Sequence, residues 1–538
     1  MKKDLRPLFD GLLLVIIALF SLVIALPFLI ALCSIFIDEG QLSLIHLKET
    51  FADLSRFYKL FRNTLVVAII SVIGALMIAI PVSYVLFRYT FKGRLFIIFL
   101  TLVAASIPLY VSSTSWIYFI GNEIWFNLDH WYEKAVIAGL VQAFAYTPAA
   151  ILICGIAFAS TEKVLEDQAL INTNRFNVFQ KVNLPQASWG IVAAAAFIFL
   201  LSVQDITITD TLRLRSFAEE VYTQYQLPQF DITKDLATQG ERIEKVKHKR
   251  AISVSLPYLV MNIFLCMLIY RFLRKYGKPS ILNSDFRTQL IQPVFKPAAI
   301  ISLLIIACII IVPAYELLSS IKSSELAINS FKAICWPSIK ITFPLALITA
   351  LFTTVLAVIY AYLINKKSWV IFPFLFLIAI PTPMIGLILA RFFNQYLQLV
   401  YNSQIMLMIG WFCRAIAFAV IILIPAFRLL NQALVEELEQ SGASICQKLI
   451  TLGFALNWKA VLAAFSLSFI LNISEIGASF ILNPPGTPTL SIRFFGLIHF
   501  QYYSDSAVLC LSAFLLVVCP FIIIIFSLWF LLKRRFSN

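Results

Sequence analysis

Glu166–Pro185 reads EDQALINTNRFNVFQKVNLP, and 270 residues further on Glu436–Ala455 reads EELEQSGASICQKLITLGFA. Each is a polar loop that runs into an apolar stretch of membrane length. Asn172 and Gly442 hold the same slot in the two loops. Counting 33 residues on from each reaches a lone acid among apolar neighbours, Asp205 and Glu475. Chance does not repeat such a register, so the chain reads as two related halves. A duplicated loop with a duplicated intramembrane acid points to a two-fold membrane protein that moves a solute.

Composition agrees. Of 538 residues, 61% are hydrophobic and only 13% charged, with a mean hydropathy of +0.90. A soluble chain carries roughly a quarter charged residues, so lipid is the solvent for most of this one. The net charge of +14 reads as the basic excess that holds loops on the cytoplasmic side, not as a nucleic-acid surface. The nine cysteines are scattered without a CxxC, and the four histidines stand apart. Neither a disulfide framework nor a metal site is expected, and no cofactor is implied. No clustered nucleophile or His pair suggests catalysis, so the chain is not expected to be an enzyme.

A helix needs about 20 apolar residues to cross the hydrocarbon core. Runs of that order fall near 11–37, 64–87, 95–120, 134–160, 188–209 and 252–276, and again near 298–320, 340–364, 369–393, 404–430, 458–482 and 506–532. Continuous, non-alternating hydrophobicity makes them helices and not barrel strands. The expected fold is an all-α integral membrane protein of about twelve spans in two parallel six-helix repeats. The halves are 1–285 and 286–538, joined by the polar stretch 277–297. With both termini inside, Lys2, Lys3 and Arg6, Arg88, Lys92 and Arg94, Arg271, Arg274, Lys275 and Lys278, Lys366 and Lys367, and Lys533, Arg534 and Arg535 all fall on the cytoplasmic side. The basic run Glu244–Arg250 falls outside and conflicts with that rule, although long loops obey it less well. The first apolar run is too long for a signal-peptide core and reads as a retained span.

In the fifth run of each half, Ser202, Asp205 and Thr209 correspond to Asn472, Glu475 and Ser479. A spacing of three and then four residues sets each trio on one face of a helix. An ionised acid at membrane depth costs at least ~2.5 kcal/mol and faces a cavity, water or a partner. These six residues are expected to line a translocation pathway for a small, cationic solute. The alternative is a structural bond to a neighbouring helix, and Arg414 in the tenth run is an available partner for Glu475.

The loops resemble the "EAA" loop of binding-protein-dependent ABC importer permeases: E-A-A, three residues, Gly, nine residues, then I-x-L-P. Glu166, Asp167 and Gln168 fall on E-A-A, Asn172 on the Gly, and Val182–Pro185 on I-x-L-P. In the second half Glu436, Glu437, Leu438 and Gly442 match the start, and the final proline is missing. The resemblance implies a type I importer permease with coupling loops near 162–187 and 432–457. Each loop would dock one copy of a cytoplasmic ABC ATPase, and an external solute-binding protein would deliver the cargo at a bacterial cytoplasmic membrane. No GxxxxGK[ST] occurs here, so ATP hydrolysis is assigned to a separate protein. In such a loop, a turn residue tolerant of positive φ folds the chain back, and Pro185 suits the first turn of the next helix.

The segments after Asp205 and Glu475 are similar to the iron(III)-type permeases, with thiamine and phosphonate-type importers as alternatives. Residues 48–62 and the charges Arg213, Arg215, Glu219 and Glu220 are expected on the outer face, the former as an amphipathic surface helix. The rival of another class is a twelve-helix secondary transporter, which would place ion sites at broken helices. Pro108 and Pro381 are a loosely matched pair of candidate breaks.

Overall fold

A computed structural model describes residues 25–34, 36–38, 41–42, 54–120, 130–226, 239–276, 296–499 and 503–536. The basic N-terminus, most of the expected first span and the joint at 277–295 lie outside the described residues. The side chains of Glu244–Arg250 and of Lys533–Arg535 do too, although their backbone is helical.

The described chain is helical apart from a two-residue antiparallel ladder, Ile37–Asp38 with Gln41–Leu42. Among the described residues seven helices are long and apolar enough to cross a membrane: Leu54–Arg88, Trp131–Ala159, Arg175–Gln204, Ile252–Lys275, Pro297–Ser319, Ser324–Lys366 and Gln404–Arg428. Counting each of three sharply bent pairs as one span gives up to ten. The protein is therefore a multi-pass membrane protein.

Several expected spans depart from a single straight helix. The run at 95–120 is two helices, Arg94–Ala105 and Leu109–Ile120, bent by 94°. Its counterpart at 369–393 is Ser368–Ala379 and Thr382–Tyr396, bent by 100°. The breaks fall at Pro108 and Pro381, because proline has no N–H for the helical ladder and its ring disfavours α geometry in the residue before it. The expected outer helix at 48–62 is no separate element from residue 54 onward; it is the start of the continuous Leu54–Arg88 helix.

The chain divides into two compact units, and neither is one sequence half. One unit holds 63–214 of the first half with 267–343 and 488–538. The other holds 344–487 of the second half with 1–62 and 215–266. Each unit is thus the middle of one half flanked by segments drawn largely from the other.

Lipid gives helices no hydrophobic drive to associate, so close packing of small residues does that work. In the first unit Gly190 lies so near Ala157 that any added Cβ would overlap the alanine methyl. There the Arg175–Gln204 and Trp131–Ala159 helices cross almost backbone to backbone. A buried cluster of Val67, Trp116, Ala135, Ala138, Val141, Ile208 and Leu212 holds the far end of that unit.

Candidate functional site

The first loop is two short helices, Lys163–Asn172 and Arg175–Val178. Asn172 keeps a helical backbone, contrary to the expected left-handed turn. The reversal falls on extended Thr173 (φ −153°) and on Asn174, whose side chain caps the next helix by accepting from Asn177 N at 2.9 Å. A π turn, Phe179–Asn183, leads straight into Leu184–Gln204, so Arg175–Gln204 is one unbroken run. Pro185 stands in the first turn of Leu184–Gln204, as expected, with the π turn joining that helix to the one before it. The π turn just before it reorganises the bonding where proline lacks a donor.

Glu166 turns inward. Its Oε2 accepts from Arg88 Nε at 2.8 Å and from Arg88 Nη2, while Arg88 Nη1 donates to the Thr161 carbonyl at 3.0 Å. Both side chains are buried. Asn183, placed by the π turn, donates to the Tyr84 hydroxyl at 3.0 Å and lies 3.4 Å from Glu166 Oε1. The rest of the loop faces outward: Asp167, Gln168 and Pro185 are exposed, with apolar Ile171 81% and Phe176 64% exposed.

The second loop repeats the plan with different details. Gln432–Gln440 ends at Gly442, whose φ of +66° is the predicted left-handed turn. Ser444 then caps Ile445–Lys448 in a capping box with Gln447, in the slot of Asn174. A π turn follows again, Leu449–Ala455, but here the helix bends by 81° before Trp458–Ile473. Asn457, at the bend, donates to the Leu452 carbonyl at 2.9 Å. Glu436 and Glu437 are exposed and Leu438 is half-buried; Leu434 and Ile450 are exposed apolar residues. Gly453 takes the slot of Asn183, and its missing Cβ is what lets Val358 approach.

The acid trios do not lie on continuous helix faces. The first helix ends at Gln204, Asp205 has extended backbone (ψ 127°), and a short helix, Thr207–Thr211, follows. The second ends at Ile473, and Gly477–Leu482 follows Glu475. In both, the carboxylate accepts from the opening N–H groups of the next helix. Asp205 takes Thr207 N at 3.0 Å and Ile208 N at 3.2 Å, and Glu475 takes Ala478 N at 2.9 Å. The breaks arise because these acids satisfy backbone donors that a continuous helix would have used itself.

All six stripe residues are buried. Asp205 accepts from Gln142 Nε2 at 2.9 Å, and Gln142 Oε1 receives the hydroxyls of Ser71 (2.8 Å) and Ser202. Thr209 Oγ1 lies 3.3 Å from the Asp205 carbonyl. Glu475 pairs with Arg414, as the sequence allowed. Ser479 accepts from Trp411 Nε1 at 2.8 Å, and Asn472 donates to the Ala346 carbonyl at 3.2 Å. Two breaks also meet here, because Gly477 packs against Thr382 and Pro383, just past the Pro381 break. Sequence reasoning overlooked Gln142, Ser71 and Arg88. A single amide inside the apolar fourth run was the available signal for Gln142.

One of the charges expected on the outer face, Glu220, also finds a partner. Arg56 pairs with Glu220, and Phe217 packs edge-on against Phe57 at 5.5 Å and Phe61 at 6.4 Å. Comparison with protein-family models, with curated proteins and with solved structures returns no match to this chain.

Proposed function

We propose that this chain is the membrane-spanning permease of an ATP-driven importer. The single observation that carries the reading is the twin loop. Two helix–turn–helix elements at one sequence offset each present exposed apolar side chains, Ile171 and Phe176 in one and Leu434 in the other, where Ile450 of the following π turn is exposed too. Each leads through a π turn into a helix whose far end breaks at a buried acid. Exposed apolar residues on a polar loop favour a protein partner. Two such loops favour two copies of a cytoplasmic ABC ATPase.

In this reading the full chain makes twelve spans in two parallel repeats within a bacterial cytoplasmic membrane, with both termini inside. An external binding protein delivers the solute. Iron(III) is the solute we assign, on the resemblance of the segments after Asp205 and Glu475; thiamine and phosphonate-type solutes are the alternatives. Among the described residues no three His, Cys, Asp or Glu side chains converge. A metal solute would therefore pass along a polar path without a fixed ligand cage among these residues.

A second reading, an ion-coupled secondary transporter, draws support from the matched breaks at Pro108 and Pro381. One experiment separates them. Purified from membranes, an importer permease co-elutes with an ATPase, and uptake stops when that ATPase cannot hydrolyse ATP. Uptake that continues without hydrolysis and collapses with an ionophore would establish the secondary transporter instead.

A further inference from the structure

The two loops are built alike but anchored by opposite means. At the first, the end of the Leu54–Arg88 helix reaches into the loop. Arg88 spans Glu166 of the first short helix and the Thr161 carbonyl that precedes it, and Asn183 and Tyr84 close the joint from the π turn. A planar, permanently charged fork held at three points leaves little rotational freedom. From the loop onward the backbone is an unbroken helix, Arg175–Gln204, that ends at Asp205.

At the second loop, Val358, Gly453 and Glu436 stand in the slots of Arg88, Asn183 and Glu166, and buried Thr354 in that of Tyr84. Gly453 rests on Val358 where Asn183 meets Tyr84, and Glu436, the counterpart of Glu166, is exposed. Neither Glu436 nor Glu437 enters an ion pair among the described residues. The helix beyond is jointed, bending 81° at Leu456–Asn457. Gly442 turns the chain at φ +66°, a conformation that glycine adopts without strain.

We infer that the first loop is a fixed lever and the second a hinged one, with Arg88 the positioning residue that fixes the first. Displacement of the first loop passes along one rigid helix to the Asp205 break. Displacement of the second is absorbed at Leu456–Asn457 before it reaches Glu475. The functional side of this inference rests on the importer reading: two identical ATPase subunits would do unequal work on the pathway, and the stroke through Arg88 would dominate.

The test uses the full-length chain carrying Arg88→Gln with Glu166→Gln, which removes both charges and leaves neither buried without a partner. Hydrogen exchange is followed in both loops. The expected result is exchange about tenfold faster or more across 163–178, with 432–448 unchanged as the internal control of folding. Unchanged exchange at the first loop, or equal loosening of both, overturns the lever. In the complex with its ATPase, the expected result is ATP hydrolysis retained with uptake reduced about tenfold, a shift of about 1.4 kcal/mol in coupling. An unaltered ratio of uptake to hydrolysis overturns the positioning role. If no ATPase partner exists, the importer reading fails while the exchange measurement still decides the lever.

Discussion

Gln142 donates its side-chain amide to Asp205 at 2.9 Å from the Trp131–Ala159 helix, and Arg414 pairs with Glu475 from the Gln404–Arg428 helix. One carboxylate is neutralised by a guanidinium and the other is held only by neutral donors. Among the described residues no cationic side chain pairs with Asp205. In a medium where charge is expensive, the two acids are thus held by electrically unequal means.

Removing Arg414 leaves Glu475 buried without its counter-charge. Arg414→Met is expected to destabilise the protein by about 3–5 kcal/mol. Adding Glu475→Gln recovers most of that loss. Thermal unfolding in detergent reads both, and a single variant as stable as the parent would refute the pairing.

Gln142→Arg gives Asp205 a guanidinium partner of the kind that Glu475 has in Arg414. The chain should keep its fold, while uptake of a cationic solute falls at least about tenfold, because a fixed guanidinium repels it and occupies the acid. Gln142→Ala removes the amide and costs about 1–3 kcal/mol through unsatisfied buried partners. Vesicle uptake and thermal melts check the two outcomes.

Ile171→Ser with Phe176→Ser alters side chains that face away from the bundle. Stability is expected to stay within about 0.5 kcal/mol of the parent. Co-purification of the ATPase is expected to be lost. Retention of a full complement of ATPase would place the contact elsewhere.

Gly190→Val drives two methyl groups into Ala157 at a close helix crossing. Overpacking of this kind costs about 1–3 kcal/mol or forces the helices apart. A lowered melting temperature, partly restored by Ala157→Gly, is the expected result.

The helical, membrane-embedded character was legible from hydrophobicity alone, and the paired loops from their register. The left-handed turn at Gly442 and the Arg414 partner of Glu475 were also readable, because each depends on one residue's own chemistry. The helix breaks at Asp205 and Glu475 were not, since apolar sequence continues across them and hydropathy is blind to backbone continuity. Spacing placed Ser202, Asp205 and Thr209 on one face only by assuming an unbroken helix. The Arg88–Glu166 bond joins residues far apart in sequence, and Arg88 had an adequate local explanation as a loop-flanking cation. Nothing local announces that Asn172 stays helical while Thr173 and Asn174 make the turn.

The interleaved composition of the two units governs how the chain can be assembled. Residues 63–214 share a unit with 488–538, so that core must wait for a segment synthesised more than 270 residues later. At ~5–20 residues per second, that delay is on the order of 15 to 65 s in the bilayer. During it the Asp205 neighbourhood is held by its own half alone.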